Sequence, residues 1–302
     1  MEFGIQAAQN LYLRIFRYMN RIIILFSTAI CTGIAIVVLT TLSGVDINPK
    51  ISVPDVTSVI SGDATHTPEI IVANYGKIIF SETFDNDFVV EEVWPVSKSR
   101  NKNWWVSSGG YLIAKNGAGS TIQDTLDAAN PWARAYKTSN PKDTNGGKRP
   151  QNIFRLVLKK EMRDASQEFL ARVNYYDPSY SENRNESNGI LLLNRYQDEN
   201  NLYYAGVRVD GKAVIKKKLK GNYTTLGESV IFSRMDDYDR NNNSNLLPIG
   251  EWIGIKSLIK NIGEDKVQID LSIQYPGKKN WERVLSVIDD GESFGPTISE
   301  AG

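Results

Sequence analysis

Basic and aromatic side chains recur at strand spacing within one stretch, Asn188 to Gly227, where Arg195, Tyr204, Arg208, Lys216 and Lys218 fall close together. Arg172 lies just upstream, and Trp132 and Tyr180 are rings in polar, loop-like surroundings. A guanidinium can grip a carboxylate through two parallel hydrogen bonds, and an ammonium adds a point charge. Aromatic rings bury large flat surfaces, and sugar faces stack on such rings when they are exposed. A groove built from these groups would suit a ligand that bears carboxylates. The plain alternative is that alternating Lys and Arg mark the wet side of a sheet.

Other chemistries are narrowed by what is scarce. The chain has one histidine, His66, and one cysteine, Cys31. A histidine base, a histidine-rich metal centre, a cysteine nucleophile and a disulfide framework are therefore not expected in the folded part. Calcium is the metal for which hard oxygen ligands are at hand, from Asp85, Asn86 and Asp87 or from Asp236, Asp237 and Asp239. Neither run has the spacing of an EF-hand loop, and Asp/Asn clusters commonly form turns, so no cofactor is expected. Formal net charge is zero, which gives no bulk attraction to nucleic acid.

The elements that must position these groups are strands. Ile190 to Tyr196, Leu202 to Val209 and Ala213 to Leu219 are apolar, strand-rich runs separated by Gln197–Asn201 and by Asp210-Gly211. An Asp-Gly pair between alternating runs is a strong hairpin signal. Alternation puts Tyr203, Ala205, Val207 and Val209 on one face, with Ala213, Ile215 and Leu219. Tyr204, Arg208, Val214, Lys216, Lys218 and Lys220 share the other, which is expected to be wet and basic. Further strands are expected at 77–80, 111–114, 133–137, 152–160, 169–176, 252–259, 267–275 and 283–287, and no amphipathic helix after residue 43. Many short strands separated by Gly, Asn, Asp and Pro turns indicate an all-β sandwich or barrel. Pro178–Ser187 and Met235–Asn245 are two polar loops of the kind that carry recognition.

Upstream, Ile22 to Leu42 is apolar with no charge between Arg21 and Asp46, and Arg14, Arg17 and Arg21 precede it. About 20 apolar residues cross the hydrocarbon core, and arginines on the N-terminal side place that end in the cytoplasm. The expected organisation is a cytoplasmic head (1–21), a transmembrane signal-anchor helix (22–42), an extracytoplasmic linker (43–76) containing His66, and a β domain (77–302). A cleaved signal peptide is the alternative, with secretion as its outcome. Both export the domain.

The runs ETFDNDF (Glu82–Phe88) and WWVSSGGYLIAKNGAG (Trp104–Gly119), the meander from Asn188 to Gly227, PIGEWIGIKSLIKN (Pro248–Asn261) and KVQIDLSI (Lys266–Ile273) together resemble the concanavalin A-like lectin/glucanase superfamily. Its laminin-G-like domains and the sandwich domain of 3-keto-disaccharide hydrolases are the nearest in pattern, over about Lys77 to Gly302. The resemblance implies a jelly-roll β-sandwich of two antiparallel sheets and a glycan-directed role. Glucanases of the superfamily carry a Glu-x-Asp-x-(x)-Glu strand. Here Glu91-Glu92 lacks that spacing, and Glu264, Asp265 and Asp270 lie across a turn. Polysaccharide lyases on this sandwich use Arg, Lys and Tyr on the concave sheet, which matches the basic face in residue type only. Relatives close with a Gly-rich turn and two further strands, and this chain reaches Gly302 where that segment begins, so a fragment or a sandwich one strand short is expected.

The combined expectation is a membrane-anchored, bacterial-type cell-surface module that binds a polysaccharide or glycoconjugate through Arg172, Arg195, Tyr204, Arg208, Lys216, Lys218, Trp132 and Tyr180. A glycoside hydrolase or lyase using the basic face is the rival, and a structural or protein-binding domain the third reading.

Overall fold

The computed structural model describes residues 37–39, 70–74, 77–177, 179–233 and 237–302. In chain order the elements are β1 (Val37–Leu39), β2 (Ile70–Asn74), β3 (Lys77–Glu82), β4 (Phe88–Glu91), β5 (Trp104–Ser108), β6 (Tyr111–Lys115), β7 (Ala118–Ser120) and helix α1 (Pro131–Ser139). There follow β8 (Arg155–Leu158), β9 (Ala165–Arg172), β10 (Gly189–Asp198), β11 (Asn201–Arg208), β12 (Lys212–Leu219), β13 (Asn222–Val230), β14 (Trp252–Asn261), β15 (Val267–Gln274) and β16 (Glu282–Asp289). The architecture is all-β.

Two large sheets and one small one result. The larger runs β13-β12-β11-β10-β1-β8-β5, the second β16-β15-β14-β9-β2-β3, and the small one β4-β6-β7. Pairing is antiparallel except where β1 lies parallel to both β8 and β10. The two large sheets face each other across one apolar core, to which Leu156, Ile190, Tyr203 and Ile215 contribute from one side and Phe169, Ile255, Ile269 and Leu271 from the other. This is a sandwich-like arrangement. β2 falls inside the stretch read as a linker and pairs with β3 and β9. The head, most of Ile22–Leu42, Cys31 and His66 lie outside the described residues; among the described residues no helix is long and apolar enough to cross a membrane.

The meander forms as its alternation dictates, with one change in turn chemistry. Between β11 and β12 only Gly211 has positive φ, and its N–H donates to the Arg208 carbonyl. That is a three-residue loop closed by a left-handed glycine. The two-residue turn with both φ positive is the next one, Lys220-Gly221.

Alternation also assigns the faces correctly up to Asn194. Ala205, Val207, Ala213 and Ile215 enter the core shared with the second sheet, while Leu191, Leu193, Tyr204 and Val214 form a separate cluster on the opposite face with Trp105 and Val157. At Arg195 the pattern breaks. This residue adopts a left-handed conformation (φ 49°) inside a register shift between Asn194 and Asp198. There β10 has three residues where β11 has one, and extra residues in one strand re-aim the side chains that follow. Tyr196 joins the outer cluster, and Arg195 is buried in an ion pair with Asp164 (3.1 Å), also donating to the Arg163 and Ile298 carbonyls.

The opposite face is basic and aromatic but not wet. Tyr204, Arg208, Lys216 and Lys218 are all less than a tenth exposed. Arg208 is held by Asp210 and Glu228, Lys216 donates to the Ser187 carbonyl, and the Lys218 ammonium lies 4.7 Å from the Tyr223 ring centroid. Burial pushes Lys218 below the usual lysine range, and the nearby Arg155 charge adds to the shift.

Residues 133–137 are helical, not extended. The signal was local: Asn130 caps the helix by accepting from the Trp132 N–H, and Pro131 takes the first helical position, where its missing N–H costs nothing. Ala133 and Tyr136 form the buried side of α1. The Tyr136 hydroxyl donates to Glu92 Oε2 (2.6 Å) and accepts from the Gly109 N–H, while the Gly110 N–H donates to the same carboxylate. Burial pushes the Glu92 carboxyl above its ordinary 4.5, despite the Tyr136 and backbone hydrogen bonds that pull it down.

A pH dependence follows with a definite sign. A raised acid pKa means the fold favours the protonated form, so this contribution is complete below pH 4.5 and is lost as pH rises through the raised value. Glu92→Gln is expected to remove that loss. Urea unfolding from pH 4 upward should show wild type losing stability relative to the variant, at a slope of at most about 1.4 kcal/mol per pH unit. Parallel profiles for the two proteins would contradict the assignment.

Candidate ligand cavity beside the small sheet

The second sheet places β9 at its centre, between β2 and β14. The end of β9 carries Arg172, and its cross-strand partner is Trp252, the first residue of β14. The guanidinium carbon sits 4.8 Å from the Trp252 ring centroid, a stacked cation–π contact. Arg172 Nε donates to Asn174 Oδ1 (2.7 Å), and Asn174 Nδ2 donates to Gln123 Oε1 (2.7 Å). This relay joins the end of β9 to the segment that follows β7.

Beneath the relay is a cavity of about 290 Å³. Its floor is core: Ile70, Phe84, Leu112, Leu156, Phe169 and Ile190. Its upper wall is polar and aromatic, with Gln123, Gln151, Asn174, Arg172, Tyr175 and Trp252. An ion pair between Arg149 and Asp177 closes one side. Gln151 is only 4% exposed, and its amide nitrogen donates to the Asp124 carbonyl. Its carbonyl oxygen Oε1 is buried with no hydrogen-bond partner. A buried polar atom without a partner costs roughly 1–3 kcal/mol, and Gln151, one of the lining residues, carries such an acceptor.

The donor and acceptor set fits a polyhydroxylated ligand. Each amide offers a donor and an acceptor close together, a guanidinium adds directed donors, and Tyr175 (62% exposed) and Trp252 add ring surface. Asp177 is the one carboxylate among the described lining residues, and it is engaged by Arg149.

Of the residues singled out from sequence, Arg172 lines this cavity. Arg195, Tyr204, Arg208, Lys216 and Lys218 occupy the buried positions described above. Trp132 is on α1, its ring 6.4 Å from that of Tyr136, and Tyr180 is 94% exposed on its loop. Of the calcium candidates, Asp239 accepts the Asn241 and Asn242 N–H groups in a turn, and those bonds hold its carboxyl below the usual range. The Asp237 carbonyl accepts from Asn243. Asp236 lies outside the described residues. Among the described residues no three His, Cys, Asp or Glu side chains converge.

Gln123, Gln151, Arg149 and Trp252 were not singled out from sequence. Gln151 and Arg149 lie in an irregular segment with no period to read. The Arg172–Trp252 contact depends on cross-strand register between distant strands. The spacing of Arg172 and Asn174, two apart at a strand end, was the one local signal.

Compared with known proteins, the chain matches no family model, no curated protein and no solved structure.

Proposed function

We propose that the domain is an exported glycan-binding module of the concanavalin A-like type, with the cavity under the Arg172–Asn174–Gln123 relay as its ligand site. The apolar segment Ile22–Leu42, preceded by arginines, directs export to the cell surface. The observation that carries the binding reading is the lining itself, where the Gln123, Gln151 and Asn174 amides, the Arg172 guanidinium and the Tyr175 and Trp252 rings share one cavity. Binding is favoured over hydrolysis because glycosidases need two carboxyl groups flanking the bond, and among the described lining residues Asp177 is the one carboxylate.

The test is retardation of the protein in gels containing neutral and acidic polysaccharides, scored together with the appearance of new chain ends. Retardation without new ends is expected. Arg172→Ala should weaken binding by about tenfold or more, since hydrogen bonds to charged groups contribute about 1.5–3 kcal/mol. Lys216→Ala, on the opposite face of the other sheet, should leave affinity within twofold. New chain ends would point to an enzyme. Silence from a folded protein would point to a protein-binding role.

A further inference from the structure

The larger sheet is continuous only through β1. β5 pairs with β8 on one side, and β10 to β13 form an unbroken ladder on the other. Among the described residues no pairing joins β8 to β10 directly. Val38 stands opposite Leu193 of β10 and Val157 of β8 at once. Strands separated by one strand's place lie about 10 Å apart, too far for their backbones to bond each other.

With Val37–Leu39 between them, the edges on either side of that place lie inside the protein. Leu156, Val157, Leu192 and Leu193 are each no more than 4% exposed. Buried N–H and C=O groups must find partners, and with Val37–Leu39 in place both edges find them in that strand. The gap is therefore a strand-wide acceptor slot in the middle of the sheet. A β-branched, apolar segment suits such a buried, parallel position, and Val37–Leu39 belongs to one.

We propose that this slot is the seat of the apolar N-terminal segment, so that Val37–Leu39 completes the sheet of the folded domain. The inference is independent of the glycan site. Its consequence is an exclusion. A membrane-spanning helix needs about 20 residues, and a chain that commits Val37–Leu39 to the sheet keeps only Ile22–Ile36 of the apolar run. The same residues serve either as part of a span or as a strand, never both.

Cysteine pairs in the full chain test this, with Cys31→Ser as the background. Val38→Cys with Leu193→Cys, and Val38→Cys with Val157→Cys, are expected to close intramolecular disulfides under mild oxidation. Val38→Cys with Leu271→Cys, in the opposite sheet, should not. Hydrogen exchange on the full chain gives a second measure that does not depend on the cysteine variants. Val38→Pro removes a donor from the inserted strand and should speed exchange at Val157 and Leu193 at least 100-fold. Failure of both disulfides, or unchanged exchange in Val38→Pro, would overturn the proposal. A disulfide that forms only between two molecules would overturn it too, by assigning the slot to a second copy.

Discussion

Lys217→Met should destabilise the domain by about 3–5 kcal/mol, the usual cost of removing one partner from a buried ion pair. Lys217 and Asp289 are 1% and 0% exposed, with Nζ 2.7 Å from Oδ2. The ammonium also donates to the Gly295 and Pro296 carbonyls. Tyr203 donates to the same carboxylate (2.6 Å) and accepts from the Ile298 N–H. Burial pushes the Tyr203 phenol well above its usual range, and the acceptor Asp289 pushes it further. One lysine thus ties β12 of the larger sheet to β16 of the second and to the segment that runs to Gly302. Methionine would leave Asp289 buried as an uncompensated charge and two carbonyls without a donor. Urea unfolding measures the cost directly. Lys217→Met combined with Asp289→Leu should be more stable than Lys217→Met alone, because apolar pairs often replace buried ion pairs at little cost. A loss under 1 kcal/mol in the single variant would show that the pair is not the tie described.

Gly206→Ala should be worse still, with a loss above about 4 kcal/mol or failure to fold. A Cβ at Gly206 would lie 2.1 Å from the Ile190 carbonyl oxygen and 2.9 Å from the Leu191 Cα. Both are backbone atoms in the adjacent strand, so no rotamer change relieves the overlap. Gly206 pairs with Leu191 on one side and Val214 on the other, which pins it in the middle of the ladder. The neighbouring change Ala205→Gly removes one methyl and adds chain entropy, for a cost nearer 1–2 kcal/mol. Thermal unfolding of the pair should separate them clearly. A Gly206→Ala protein with wild-type stability would mean that β10 and β11 are not this close.

What was legible in the sequence follows the range of the interaction. The meander β10–β11–β12 could be read because its turns and alternation are local, and the faces of Tyr203, Tyr204, Ala213 and Val214 came out as alternation requires. Helix α1 escapes the strand reading of 133–137 although Asn130-Pro131 announces it, because five residues between turns also fit the length of a strand. Arg195 was misplaced because a bulge leaves no mark in hydrophobic pattern; one left-handed residue reversed its side. Lys217 illustrates the limit further. Sequence shows a basic residue among basic residues, and only its partner at Asp289, contributed by the other sheet, explains its burial. The cavity was the least legible part. Its amides come from irregular segments whose convergence is set by packing, while Arg172 was visible as a basic residue within the expected strand 169–176.

The position of β9 has a consequence for synthesis on the ribosome. Both of its edges are paired, Ile70 opposite Phe169 on one side and Ile255 opposite Phe169 on the other. The partner on the first side is made long before β9, the partner on the second long after. During translation β9 therefore emerges beside a finished β2 but must wait, one edge open, until β14 leaves the exit tunnel. An open, apolar strand edge is what other nascent chains can pair with. A slow stretch of codons between β9 and β14 would lengthen that exposure, and a holdase chaperone would be needed most in this interval of synthesis.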